Sequence, residues 1–128
     1  MRKALMAGML LAGVAAGGAK AASVRDLADA VELHLVKAKA FAAVSCKRDD
    51  YAGHEFVLCR PAGAKTPDVL VIVEPGDSPA VYRVNGKAKQ LLAGDTVELV
   101  AGGSVPLRDW SGEPIDIAAA IEEVTDWF

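Results

Sequence analysis

The chain of 128 residues is poor in the side chains that most chemistries require, with two cysteines, two histidines, two tryptophans, two tyrosines and three phenylalanines. So few histidines leave little for nucleophilic catalysis, which needs a base within reach of the attacking group. Neither His34 nor His54 lies in a nucleophile motif, and Ser45, Ser78, Ser104 and Ser111 lack the Gly-x-Ser-x-Gly elbow. No glycine-rich phosphate loop is present. Two cysteines and two histidines without knuckle spacing make a poor zinc set, so neither a metal nor a cofactor is expected. The composition leans away from an enzyme.

Basic charge is scarce as well. Once residues 1–21 are set aside, 14 − 3 = 11 bases face 17 acids, a formal net charge of −6. Phosphate binding needs a basic face and this chain has no such cluster, so no nucleic-acid partner is expected, and anionic lipid is disfavoured for the same reason. The imbalance is local. From Gly94 onward eight acids meet one base, Arg108, whereas residues 22–93 carry nine acids and ten bases.

What is present begins with a leader. Arg2 and Lys3 precede an uncharged run from Ala4 to Ala19, and Ala19-Lys20-Ala21 follows with small residues where a signal peptidase reads them. Residues 1–21 are read as a secretory signal cleaved after Ala21, with Ala22 the near alternative. The run is too short and glycine-rich for a membrane span, so no stable insertion is expected after cleavage. Residues 22–128 suffice for one small domain, periplasmic or secreted.

Cys46 and Cys59 fit that compartment. They stand in what reads as two strands joined by the polar turn Asp49-Asp50-Tyr51-Ala52-Gly53-His54-Glu55. Antiparallel partners keep a constant sum of residue numbers, and a Cys46–Cys59 bond centres the turn between Ala52 and Gly53. That register sets Asp50 opposite Glu55, an unfavourable facing of like charges, so pairing is expected to stop near Arg48 and leave Asp49 to His54 as an open loop. The bond is structural, since redox pairs favour Cys-x-x-Cys at a helix start. The three carboxylates and the histidine of this loop match no calcium-loop spacing and read as a solvated turn.

The remaining elements follow from periodicity. Ser23 with Asp26 caps a helix in which Val24, Leu27, Val31, Leu35 and Ala38 form one apolar stripe. His34 lies beside that stripe as a packing residue. Strands are expected at 41–47 and 55–60. Val69 to Val73 is apolar without alternation, the mark of a central strand covered on both faces. Asn85-Gly86 predicts a type I′ hairpin joining strands at 80–84 and 87–92, with Lys87 and Lys89 guarding a sheet edge. A short strand at 96–100 turns Val97 and Leu99 inward, and Ala101 to Ser104 ends regular structure. In the acidic segment 105–128, Asp116 caps a last helix bearing Ile117, Ile121, Val124 and Phe128 on one stripe.

The fold expected is α+β: an N-terminal helix on an antiparallel sheet of four to six strands built from hairpins, a short C-terminal helix, and one disulfide. The function expected is a small exported non-enzymatic protein that binds or inhibits another envelope or extracytoplasmic protein. Trp110, Trp127 and Phe128 are the candidate contacts, and the acids around them would favour a partner with a basic surface. The alternative is a small-molecule or metal carrier, or a small hydrolase, using His34, His54 or Asp50 in a pocket between sheet and helix.

Overall fold

The computed structural model describes residues 21–64 and 67–124, so residues 1–20 of the expected leader and the candidate contacts Trp127 and Phe128 lie outside the described residues. The first helix, α1 (Val24–Lys37), starts where the capping box requires. Ser23 Oγ accepts the Asp26 N–H at 3.1 Å, and the Asp26 carboxylate accepts the Ser23 N–H at 2.9 Å. The same backbone bond holds the Asp26 carboxyl below its usual range. Leu27, Ala28, Ala30, Val31 and Leu35 are buried along one side. At the far end Ala40 and Lys39 donate to the Leu35 and Val36 carbonyls in a Schellman closure, with Lys39 left-handed at φ 58°.

Two strands follow, β1 (Val44–Tyr51) and β2 (His54–Pro61), paired with Cys46 opposite Cys59 and joined by a disulfide at a Cα separation of 4.1 Å. Such a bond fits an oxidising compartment outside the cytoplasm. The turn is tighter than the facing charges suggested. Pairing runs through Asp50–Glu55 to Tyr51–His54, and only Ala52 and Gly53 remain unpaired, at φ 54° and 83°. Both values suit a two-residue I′ turn, and glycine supplies the second at no steric cost. The facing carboxyls carry a penalty that shows in Glu55, whose pKa is raised by hydrogen bonding of its protonated form to Asp50, by burial and by the charges of Asp50 and Asp49.

The apolar run is the central strand β3 (Val69–Glu74), between β2 and β4 (Ala80–Arg83). Both of its faces are covered. Val69, Val71 and Val73 join the core beneath α1, while Leu70 and Ile72 join a second core on the opposite side.

After β4 the structure departs from the expected hairpin. Asn85 opens no turn between strands; it caps a short helix, α2 (Gly86–Leu91). Its Oδ1 accepts N–H groups from Ala88 at 3.0 Å and from Leu70 at 3.2 Å, and its Nδ2 donates to the Asp68 carbonyl at 2.9 Å. Ala88 and Leu92 are buried while Gln90 is exposed, a spacing of four that a strand would not produce. Lys87 and Lys89 are therefore exposed on a helix and guard no edge.

The next strand, β5 (Thr96–Glu98), is short, and regular structure continues beyond Gly102 and Gly103 into β6 (Ser104–Asp109). The sheet thus has six strands in the order β1-β2-β3-β4-β6-β5, and the β4–β6 pair is parallel while the others are antiparallel. A parallel neighbour needs a crossover, and α2 with β5 supplies it. Arg83 locks this junction by donating to Asp109 at 2.7 Å and to the Leu92 carbonyl at 2.6 Å. The edges are β1 and β5, and α1 touches both, so the sheet curls around that helix.

The last helix, α3 (Ile117–Val124), is capped as expected by Asp116, whose Oδ1 accepts the Ala119 N–H at 3.0 Å. It packs Ala120, Ile117 and Ile121 on Phe56, Leu58, Leu70 and Ile72, the face opposite α1. The domain is α+β with helices on both sides of the sheet. No helix among the described residues is long and apolar enough to cross a membrane.

Candidate functional site

The two histidines fall on opposite sides of the sheet. His34, on α1, places Nε2 3.0 Å from the Ala93 carbonyl oxygen, so that nitrogen carries the proton and ties the helix to the turn before β5. His54, on β2, donates to the Glu113 carboxylate in the loop before α3 and meets the Trp110 ring edge-on at 4.9 Å. Asp50 is exposed near the hairpin tip. His34, His54 and Asp50 therefore share no pocket, and among the described residues no group of three His, Cys, Asp or Glu side chains converges as a metal set.

Trp110 lies at the end of β6, half-buried on the α3 side. Its ring is edge-on to Tyr82 at 5.6 Å, and its indole N–H donates to the Glu113 carbonyl at 2.8 Å. Glu113 thus accepts from both rings, through its side chain from His54 and through its backbone from Trp110. The Ser111–Pro114 loop folds so closely over the indole that a Cβ on Gly112 would overlap its six-membered ring. Burial, followed by its bond to Glu74, raises the Tyr82 pKa. Among the described residues this cluster packs between β2, β4, β6 and α3.

A different surface is left open. Among the described residues the exposed large hydrophobics are Val36, at 43% exposure, and Val100, at 69%. They are far apart in sequence but line one depression of about 360 Å³ with Leu33, Asp29 and Glu32. Val100 and Asp29 also line the adjoining depression of about 400 Å³, which reaches Arg25 and the Ala101–Gly102 turn. At the other end, Leu33 borders a third of about 370 Å³ beside His34, Lys37 and Glu98. Sharing Asp29, Val100 and Leu33 among their linings, the three lie side by side as a groove between α1 and the β5–β6 hairpin.

The groove follows from the curled sheet. Leu27, Val31 and Leu35 take the buried side of α1, and this turns Leu33 and Val36 toward the rim. The β5–β6 turn lifts Val100 beside them, held by a Gly102 N–H to Leu99 carbonyl bond of 3.0 Å. Lys37 and Glu98 pair across the far end at 3.2 Å. Neither Asp29 nor Glu32 has an ion-pair partner among the described residues.

Sequence reasoning did not select Val36, Val100 or Leu33. One signal was available: Leu33 and Val36 lie three apart, off the Leu27–Val31–Leu35 stripe, and so form a second apolar strip on a helix that needs one. Val100 carried no such signal. The groove has an apolar floor of Leu33, Val36 and Val100 beside the acids Asp29 and Glu32. Comparison with protein-family models, with curated proteins and with solved structures finds no match.

Proposed function

We propose that this is a small exported, non-enzymatic protein that works by binding another protein of the cell envelope or extracytoplasmic space, with the groove between α1 and the β5–β6 hairpin as its contact surface. The observation that carries this reading is the gathering of Val36 and Val100 beside Leu33 at one groove. Exposed apolar side chains gathered beside polar ones, rather than scattered singly, suit a surface that a partner covers. The structural disulfide supports the compartment. Cleavage after Ala21 is the processing that suits the fold, because it retains Ala22, which is buried and bonded in both directions to Gly76 at 3.0 and 2.8 Å.

The test is cross-linked capture from the cell envelope, comparing the natural chain with Val36→Glu/Val100→Glu. Both valines are exposed, so circular dichroism should show the variant folded. A partner held by the natural chain and lost by the variant supports the reading, and capture that ignores both valines sinks it. A parallel variant, Trp127→Ala/Phe128→Ala, asks the same question of the C-terminal aromatics. Loss of capture there alone would move the contact to the acidic C-terminal segment.

A further inference from the structure

We infer that the occupant of this groove is a basic amphipathic helix presented by the partner protein. This rests on the reading that the groove docks a protein, and it adds the chemistry of what is docked. Three features of the groove select it.

The first is charge. Asp29 and Glu32 stand on the α1 wall beside the apolar floor, and neither is neutralised by an ion pair among the described residues. The adjoining depression brings Arg25 and Asp26, neighbours in sequence whose opposite charges offset each other, the Ser23 N–H first and the Arg25 charge with it lowering the Asp26 pKa. Lys37 at the far end is paired with Glu98. The unpaired charge along the middle of the groove is therefore negative, and a partner with lysine or arginine beside its apolar face is complementary. A second copy of this chain would bring the same acids against these.

The second is spacing. Asp29 and Glu32 are three residues apart on one helix, a rise of about 4.5 Å along its axis. Bases three apart on a partner helix lying along α1 have that same rise, whereas alternate residues of an extended peptide are about 6.6 Å apart. The third is the sheet edge beside the groove. The edge strand β5 has 3 residues, too few to template an added strand, so recognition falls to side chains. A helix offers apolar residues at spacings of three and four to Leu33, Val36 and Val100, with bases on one flank.

The experiment uses the folded protein and synthetic peptides of about 14 residues, enough for a helix to span the groove. One peptide carries leucines at helical spacing flanked by lysine and arginine, its twin replaces every base with glutamate, and a third inserts a central proline into the basic form. Affinity is measured by titration, the site by amide chemical shifts, and peptide helicity by circular dichroism. The basic peptide should bind at least about tenfold more tightly than its acidic twin, gain helix on binding, and shift resonances along α1 and the β5–β6 turn. Asp29→Lys/Glu32→Lys, which leaves the apolar floor intact, should reverse the order of the twins.

Equal binding of the twins, or undiminished binding of the proline form, overturns the inference and leaves the docking reading standing. If envelope capture depends on Val36 and Val100 while no peptide binds, the occupant is of another kind and the inference fails alone. Capture that ignores both valines removes the docking reading and the inference with it. A dimer in sedimentation that Val36→Glu/Val100→Glu dissociates would name a second copy as occupant and overturn the basic helix.

Discussion

Asp50 and Glu55 face each other across the penultimate pair of the β1–β2 ladder, where the protonated Glu55 carboxyl can donate to the Asp50 carboxylate. Such a bond needs one proton between two acids. The Glu55 pKa is accordingly raised, first by that bond, then by burial and by the neighbouring charges of Asp50 and Asp49. A raised carboxyl pKa means that the protonated pair stabilises the fold at pH below the ordinary glutamate value. That contribution is lost as pH rises through the raised one. Glu55→Gln supplies a permanent neutral donor, so at pH 7 the midpoint of thermal unfolding should rise by roughly 2–4 °C. At pH 3 the gain should disappear. Thermal melts followed by circular dichroism at both pH values check the sign, and a lower midpoint at pH 7 would contradict it.

Asn85 joins three segments through one amide: the start of α2, the Leu70 N–H on β3 and the Asp68 carbonyl before it. Asn85→Ala removes the cap and leaves partly buried backbone groups unpaired, at a cost of about 2–3 kcal/mol in urea unfolding. Asn85→Asp retains the acceptor but loses the donor to Asp68 and should fall between the two. A loss confined to the few tenths typical of an exposed turn would mean that the amide is not holding β3.

Gly112 permits the Ser111–Pro114 loop to close over Trp110. Adding a methyl group there forces the indole or the loop to move, so Gly112→Ala should destabilise by about 1–3 kcal/mol. With Trp127→Phe as background, the emission of Trp110 should shift to the red and quench more readily. Unchanged emission would show that the indole sits elsewhere.

The disulfide closes a loop with a sequence separation of 13. Replacing both cysteines with alanine should lower unfolding free energy by about 3 kcal/mol, largely through the entropy of the unfolded chain. Because Cys59 is fully buried beneath α1, Cys46→Ala/Cys59→Val should recover part of the loss by refilling the core. Urea titrations of both variants beside the natural protein measure it.

Local chemistry was legible where it stayed local. The Ser23–Asp26 box, the Asp116 cap and the centre of the cysteine hairpin each depend on residues close together in sequence, and each stands where it was read. The non-alternating run Val69 to Val73 also reported truly on its surroundings, because only a strand covered on both faces can hide every side chain. Asn85-Gly86 misled for a definite reason. The dipeptide suits either a I′ turn or a helix cap, and the choice was made by Asp68 and Leu70, bound from 17 and 15 residues away.

Short stretches of the chain are enough to specify the two cysteines' partnership, the first and last helices and the central strand. Hydrogen-bonding range and side-chain period are properties of short segments, and they suffice for these. The rest depends on contacts between segments distant in sequence. The parallel pairing of β6 with β4 depends on a crossover through α2 and β5, and on Arg83 reaching Asp109 from 26 residues away. Whether an apolar residue is core or contact surface depends on what the folded chain lays over it. Val36 and Val100 are as hydrophobic as the buried valines, and the curl of the sheet around α1 leaves them outside.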